Sequence, residues 1–170
     1  MNLRFYVRRR GPEGWRRGVV FIREIVPRLA IASVARWRYN ENYLALPMRH
    51  NISASSPESP PRVEYAWRHR GRWNSLAAQA TGALQSVTPG SEVEFITEHY
   101  WGYTAQKDGG CLEYQVEHLP WRVWQVQESS LDCDVADLYG AEFAATLEGK
   151  PSSGFVAEGS AVNVRHGVRI

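Results

Sequence analysis

A mainly β chain with flanking helices, its antiparallel strands closed or nearly closed into a barrel, is the fold class that the sequence predicts. Apolar and polar residues alternate at period two along most of the 170 residues, which gives each strand one buried and one wet face. Turn signals such as Gly11-Pro12-Glu13-Gly14 and Asp108-Gly109-Gly110 separate consecutive strands, so neighbours join as hairpins. About seven or eight antiparallel strands in succession either stack as a sandwich or close on themselves, and closure removes the exposed edges.

The elements follow in order. In residues 2–10, Leu3, Phe5 and Val7 share one face, and Arg4, Tyr6 and Arg8 the other. Residues 15–25 run back as a second strand, apolar on both faces at its centre. Pro27 suits the first position of a helix carrying Ile31, Val34, Ala35 and Arg38. Residues 43–53 return to period two, with Leu44, Leu46, Met48, His50 and Ile52 on one face. The polar segment from Ser53 to Pro61 is a loop. Val63, Tyr65, Trp67 and His69 line the next strand, Arg70-Gly71 turns it, and residues 72–82 return. Ser91 with Glu94 reads as a capping box over a short helix at 92–97. Strands from His99 to Ala105 and from Leu112 to His118 flank the Asp108 turn, and another starts at Trp121. Residues 133–148 repeat apolar positions at helical spacing up to Gly149. A last strand spans about 155–164.

Length and composition set the outer limits. A chain of 19.3 kDa with 44% hydrophobic and 22% charged residues reads as one globular domain over 1–170, not as a disordered or fibrous chain. No apolar run reaches the ~20 residues of a membrane helix, and no secretory segment follows the start, so no membrane partner is expected. Two cysteines point to a reduced, cytoplasmic protein. Of 20 basic residues only Lys107 and Lys150 are lysines. Arg4, Arg8, Arg9, Arg10, Arg16 and Arg17 crowd the first hairpin, where they read mostly as a solvated face. No nucleic-acid-binding module accompanies them, so no nucleic-acid partner is expected and an Arg-rich nucleic-acid binder is the weakest functional reading.

Candidate chemistry centres on the histidines. His50, His69, His99 and His118 fall on the apolar faces of strands, among Tyr65, Trp67, Trp101, Tyr103 and Tyr114. Each alone reads as a strand-end histidine satisfied by one hydrogen bond; together, on a barrel's inner face, they resemble the lining of a ligand site. The expected ligand-binding set is His99, Tyr100, Tyr103, His118 and Trp67, with Glu98 and His99 as candidate acid–base residues. The absence of HxH and CxxC spacing argues against a metal, and no cofactor is expected. Cys133, at a helix start, is the better thiol nucleophile of the two cysteines, although a small residue without chemistry is the plainer reading. Ser152-Ser153-Gly154 lacks the context of a hydrolase elbow.

The segments Asn2-Leu3-Arg4-Phe5-Tyr6-Val7, Ile96-Thr97-Glu98-His99-Tyr100-Trp101-Gly102-Tyr103, Glu117-His118-Leu119-Pro120-Trp121 and Gly159-Ser160-Ala161-Val162 resemble the YqjF-like family of uncharacterised proteins. That family is grouped with the acetoacetate decarboxylase-like superfamily, so the resemblance implies a closed, cone-shaped antiparallel barrel with helices outside. The superfamily's enzyme forms a Schiff base through a lysine in a Pro-Lys-Lys stretch after a Gly-aromatic pair. Here Thr104-Ala105-Gln106 follows Gly102-Tyr103, and Lys107 lies one step further, where a strand presents its opposite face. Acetoacetate decarboxylation is therefore not expected. Members also carry strands before the Asn2 segment, so the resemblance implies an N-terminally incomplete barrel, and the expectation is that its open edge either makes the chain aggregation-prone or pairs with another chain, as in a homo-oligomer. The leading functional expectation is a cytoplasmic protein holding a small organic acid in the barrel lumen. The alternative is a lyase or hydrolase acting on a small keto or hydroxy acid through His/Glu acid–base chemistry.

Overall fold

The computed structural model describes residues 1–170, and the period-two stretches form its strands. Chain order is β1 (Asn2–Gly11), β2 (Gly14–Val26), α1 (Leu29–Tyr39), β3 (Tyr43–Ala45), β4 (Met48–Ser53), β5 (Arg62–His69), β6 (Arg72–Ser86), α2 (Glu92–Thr97), β7 (Trp101–Ala105), β8 (Cys111–Glu117), β9 (Arg122–Asp132), α3 (Val135–Tyr139), a 3-10 turn (Ala141–Phe143), α4 (Ala144–Leu147), β10 (Phe155–Ala157), β11 (Asn163–Val164) and β12 (Val168–Arg169). No helix is long and apolar enough to cross a membrane.

The strands do not close into a barrel. They form two open sheets: one of seven strands, ordered β1-β2-β7-β8-β11 with β3 beside β2 and β12 beside β8, and one of five, ordered β10-β9-β6-β5-β4. Alternation at period two fixes only that each strand has an inner and an outer face; it is equally consistent with an open sheet and a closed one. Continuity decides the matter, and proline and glycine interrupt it. The chain passes between the two sheets' compact units after Ala45, Thr88, Pro120 and Gly159. Three of these passages contain Pro89, Pro120 or Gly159, and Pro47 follows the other by two residues. Pro47 thus divides the expected 43–53 strand into β3 and β4, which belong to different sheets.

The first unit comprises residues 1–45, 89–120 and 160–170. β1 and β2 form the predicted hairpin, Gly11 facing Gly14, with a register shift between Leu3 and Arg4. β2, α1 and β3 make a crossover, because β3 pairs parallel to β2 and α1 returns the chain. α1 starts at Leu29, so Pro27 precedes the helix and does not occupy its first position. Asn40 caps its other end in the left-handed conformation (φ 56°), its N–H bonded to the carbonyls of Ala35 and Arg36. The expected capping box forms in part at α2: Ser91 Oγ accepts from Glu94 N at 3.1 Å, while Glu94 Oε2 reaches one residue past the cap and accepts from Gly90 N at 2.8 Å. β7 and β8 pair antiparallel across the Asp108 turn, and the short strands β11 and β12 pair antiparallel with β8.

The second unit comprises residues 46–88 and 121–159. Its buried side chains include Ala66, Trp67, Val123, Trp124, Val135 and Leu138. Buried Asn74 accepts from Asp134 N at 2.9 Å and so fixes the start of α3 on the sheet. The expected 133–148 helix is broken at Gly140 (φ 119°), a backbone angle that glycine alone tolerates readily. The expected 155–164 strand is likewise two strands, β10 and β11, one in each sheet.

Candidate functional site

Residues 39–43 are fastened at several points. Gln106 Nε2 donates to Tyr39 O at 3.1 Å, Asn40 Nδ2 to Ala105 O at 2.8 Å and Asn42 Nδ2 to Ile22 O at 2.8 Å. This places Glu41, only 6% exposed, against the sheet. Its Oε1 accepts from Tyr114 Oη at 2.8 Å and from Thr104 Oγ1. Tyr114 reaches that oxygen because its register partner across the sheet is Gly102. A Cβ at residue 102 would overlap the Tyr114 ring. Glycine is thus the residue that lets the phenol lie flat over β7.

Above this face α1 stands off the sheet and leaves a cleft of about 580 Å³. Phe21, Tyr114 and Val116 line it from the sheet, and Ile31, Val34 and Tyr39 from the helix. Val162 and Val164 complete one rim, about half exposed like Ile31 and Val34. The charged lining residues are Glu24 and Glu41. An apolar concavity with a few convergent polar groups is the usual form of a small-molecule site.

The electrostatics of the cleft are dominated by burial. Desolvation pushes the Glu24 carboxyl up to about 7, with Glu41 adding to the shift, while a hydrogen bond from Tyr43, the Met1 amino group and Arg4 oppose it. Burial also raises Glu41, against the hydroxyls of Thr104 and Tyr114. The Tyr43 and Tyr114 phenols are raised by burial first and then by the nearby carboxyls, so both remain protonated donors. A carboxyl that titrates near neutrality beside two fixed phenols can give or take a proton from a bound molecule.

The side chains singled out from the sequence lie elsewhere. None of Glu98, His99, Tyr100, Tyr103, His118 and Trp67 lines this cleft. His99 is buried between Tyr6 and Phe95, with ring centroids 4.6 and 4.8 Å away. Burial and then Arg17 and Arg4 hold its imidazole below the ordinary value. Glu98 Oε2 accepts from the Tyr100 hydroxyl, and the Tyr100 ring lies 5.2 Å from His118. These three therefore form one cluster. His118 Nδ1 sits 2.9 Å from the Leu119 carbonyl. Tyr103 packs over Gly18, with its hydroxyl pushed to about 12 by burial and then by Glu113. Trp67 belongs to the five-stranded sheet.

Two other candidates, His69 and Cys133, also lie outside this cleft. His69 Nε2 meets Asp137 Oδ2 at 2.7 Å and ties β5 to α3. Burial raises the Cys133 thiol to about 11, with Asp134 adding to the effect, so it is a poor nucleophile at neutral pH. The residues that line the cleft left only faint signals in the sequence: Glu24, next to Arg23 in an otherwise apolar stretch from Val19 to Val26, and Glu41 just beyond a helix end.

No curated protein matches the chain. Residues 1–161, which hold β1 to β10 and every residue of the Glu24–Glu41–Tyr114 cleft except Val162 and Val164, match DUF2071, a family of uncharacterised conserved proteins, and the chain belongs to that family.

Proposed function

We propose that this protein binds a small, largely apolar organic molecule in the cleft between α1 and the seven-stranded sheet. The observation that carries this reading is the cleft itself, about 580 Å³ of mostly hydrocarbon-lined space holding the buried Glu41 and the half-buried Glu24 carboxyls. The resemblance to YqjF-like proteins, and through them to a superfamily whose enzyme acts on a small molecule, supports it. The organic acid expected from the sequence suits this cleft poorly, since its charged lining side chains are both carboxyls. Schiff-base decarboxylation is not part of the reading: Thr104 bonds Glu41, and Lys107 is exposed in the turn after β7.

Binding of 1-hexanol, followed by chemical-shift changes at the Ile31, Val34 and Val116 methyl groups, tests the proposal. The Val34→Trp substitution fills the cleft from its rim without touching the buried core, and should weaken binding about tenfold or more. Saturable shifts confined to other methyl groups, or none at all, would refute it.

A second reading is favoured by Glu24 alone. A carboxyl with a pKa of about 7 is poised for general acid–base catalysis on a bound substrate. Turnover whose rate follows one ionisation near pH 7, and is lost in Glu24→Gln, would establish it.

A further inference from the structure

We propose that the molecule held in this cleft is an organic amine: an apolar body carrying one protonated amino group, received by Glu24 and Glu41. The proposal rests on the ligand-binding reading above and names the ligand's class. Two carboxyls face one apolar space, and neither lysine nor arginine lines it. Removing two like charges from water is unfavourable, and a cation bound inside the cleft supplies a positive charge that the lining itself lacks. A bound carboxylate would add a third negative charge. A neutral alcohol would leave the pair uncompensated.

The donor pattern agrees. Thr104 and Tyr114 both bind Oε1 of Glu41, a lining residue of the cleft, and neither bond occupies its Oε2. Tyr39, Tyr43 and Tyr114 supply aromatic walls, with the Tyr39 and Tyr114 rings 5.6 Å apart at 65°. Such walls attract ammonium groups through the ring quadrupole. Arg4 and the Met1 amino group act on Glu24 but do not outweigh its burial. An arriving ammonium therefore meets a carboxyl that is partly protonated at neutral pH, and its binding should expel that proton.

Hexylamine, 1-hexanol and hexanoate share one apolar tail and separate the two claims. Calorimetric titration of the 170-residue chain at pH 7, in two buffers of different ionisation enthalpy, measures both affinity and proton release. Hexylamine should bind about tenfold or more tightly than hexanol, as a charge-assisted hydrogen bond implies. Its binding should release a substantial fraction of a proton, and that of hexanol none. Glu24→Gln should cut the preference severalfold and remove most of the proton release while hexanol still binds. Glu41→Gln also disturbs Thr104 and Tyr114, so Glu24→Gln is the deciding variant. Equal affinities, or tighter binding of hexanoate, would overturn the amine assignment while leaving the cleft as a binding site. Failure of all three to bind would overturn the binding reading as well.

Discussion

Glu24 is a carboxyl whose charge folding opposes, and this makes it a pH sensor of stability. Its folded value of about 7 lies above the ordinary 4.5, with burial as the main cause and Tyr43, Glu41, the Met1 amino group and Arg4 as its charged or titratable neighbours. A carboxyl raised in this way contributes stability that is fully present below pH 4.5 and is lost as pH rises through about 7. Glu24→Gln cannot ionise. The variant should match the parent near pH 4 and exceed its stability above pH 8, by at most about 3 kcal/mol. Urea unfolding from pH 4 to 9 checks this, and parallel curves for the two proteins would refute it. Gly102 tests the same site sterically. Gly102→Ala forces the Tyr114 ring off β7 and away from Glu41, and should cost roughly 2–4 kcal/mol in a denaturant titration.

Elements were legible where their signals are local. The β1–β2 hairpin, the Asp108 turn and the Ser91 cap of α2 each depend on residues within a few positions of one another, and all three form. The 133–148 helix was legible as periodicity but not as two pieces, because the strain of Gly140 depends on how α3 meets the 3-10 turn. The cleft was less legible still. Glu41 bonds residues 63 and 73 positions away, and no window along the sequence contains such a pair. The histidines looked more informative than they are, since an imidazole on an apolar strand face reads as a ligand until Tyr6 and Phe95 are seen packed against it.

α1, the helical wall of the cleft, is weakly anchored at its start. Its N-cap is Arg28, which makes no side-chain capping bond, and no acidic residue occupies its first turn. Ala32 is its one buried residue, while Leu29 and Trp37 are 75% and 84% exposed. Arg28→Ser supplies the missing acceptor and should stabilise the helix by about 1 kcal/mol. Hydrogen exchange should then slow at the first α1 amides before it changes elsewhere. Equal exchange in the two proteins would mean that packing, not capping, limits the helix.

At the scale of the whole molecule, the seven-stranded sheet is assembled from three separated stretches of chain, the last of which is residues 160–170. Those eleven residues carry β11 and β12, which pair with β8, the strand that holds Tyr114. Backbone bonds secure them: Arg165 N to Gln115 O at 2.8 Å, Ile170 N to Cys111 O at 2.9 Å and Cys111 N to Ile170 O at 3.3 Å. Exposed ion pairs of Arg165 with Glu117 and Arg169 with Asp108 add little in water. Val162 and Val164 from the same stretch form one rim of the cleft. Removing residues 160–170 should therefore do two things together. It uncovers the edge of β8, with a cost on the order of 2–4 kcal/mol from several backbone bonds at about 1 kcal/mol each. It also takes away part of the apolar wall, so that 1-hexanol binds more weakly even where the shortened chain is fully folded. Comparing urea unfolding and hexanol binding of residues 1–159 with the full chain measures both. A shortened chain with unchanged stability would show that β8 does not need its cover. One with reduced stability but unchanged affinity would show that Val162 and Val164 border the cleft without contributing to it, and that the ligand is held by α1 and the sheet alone.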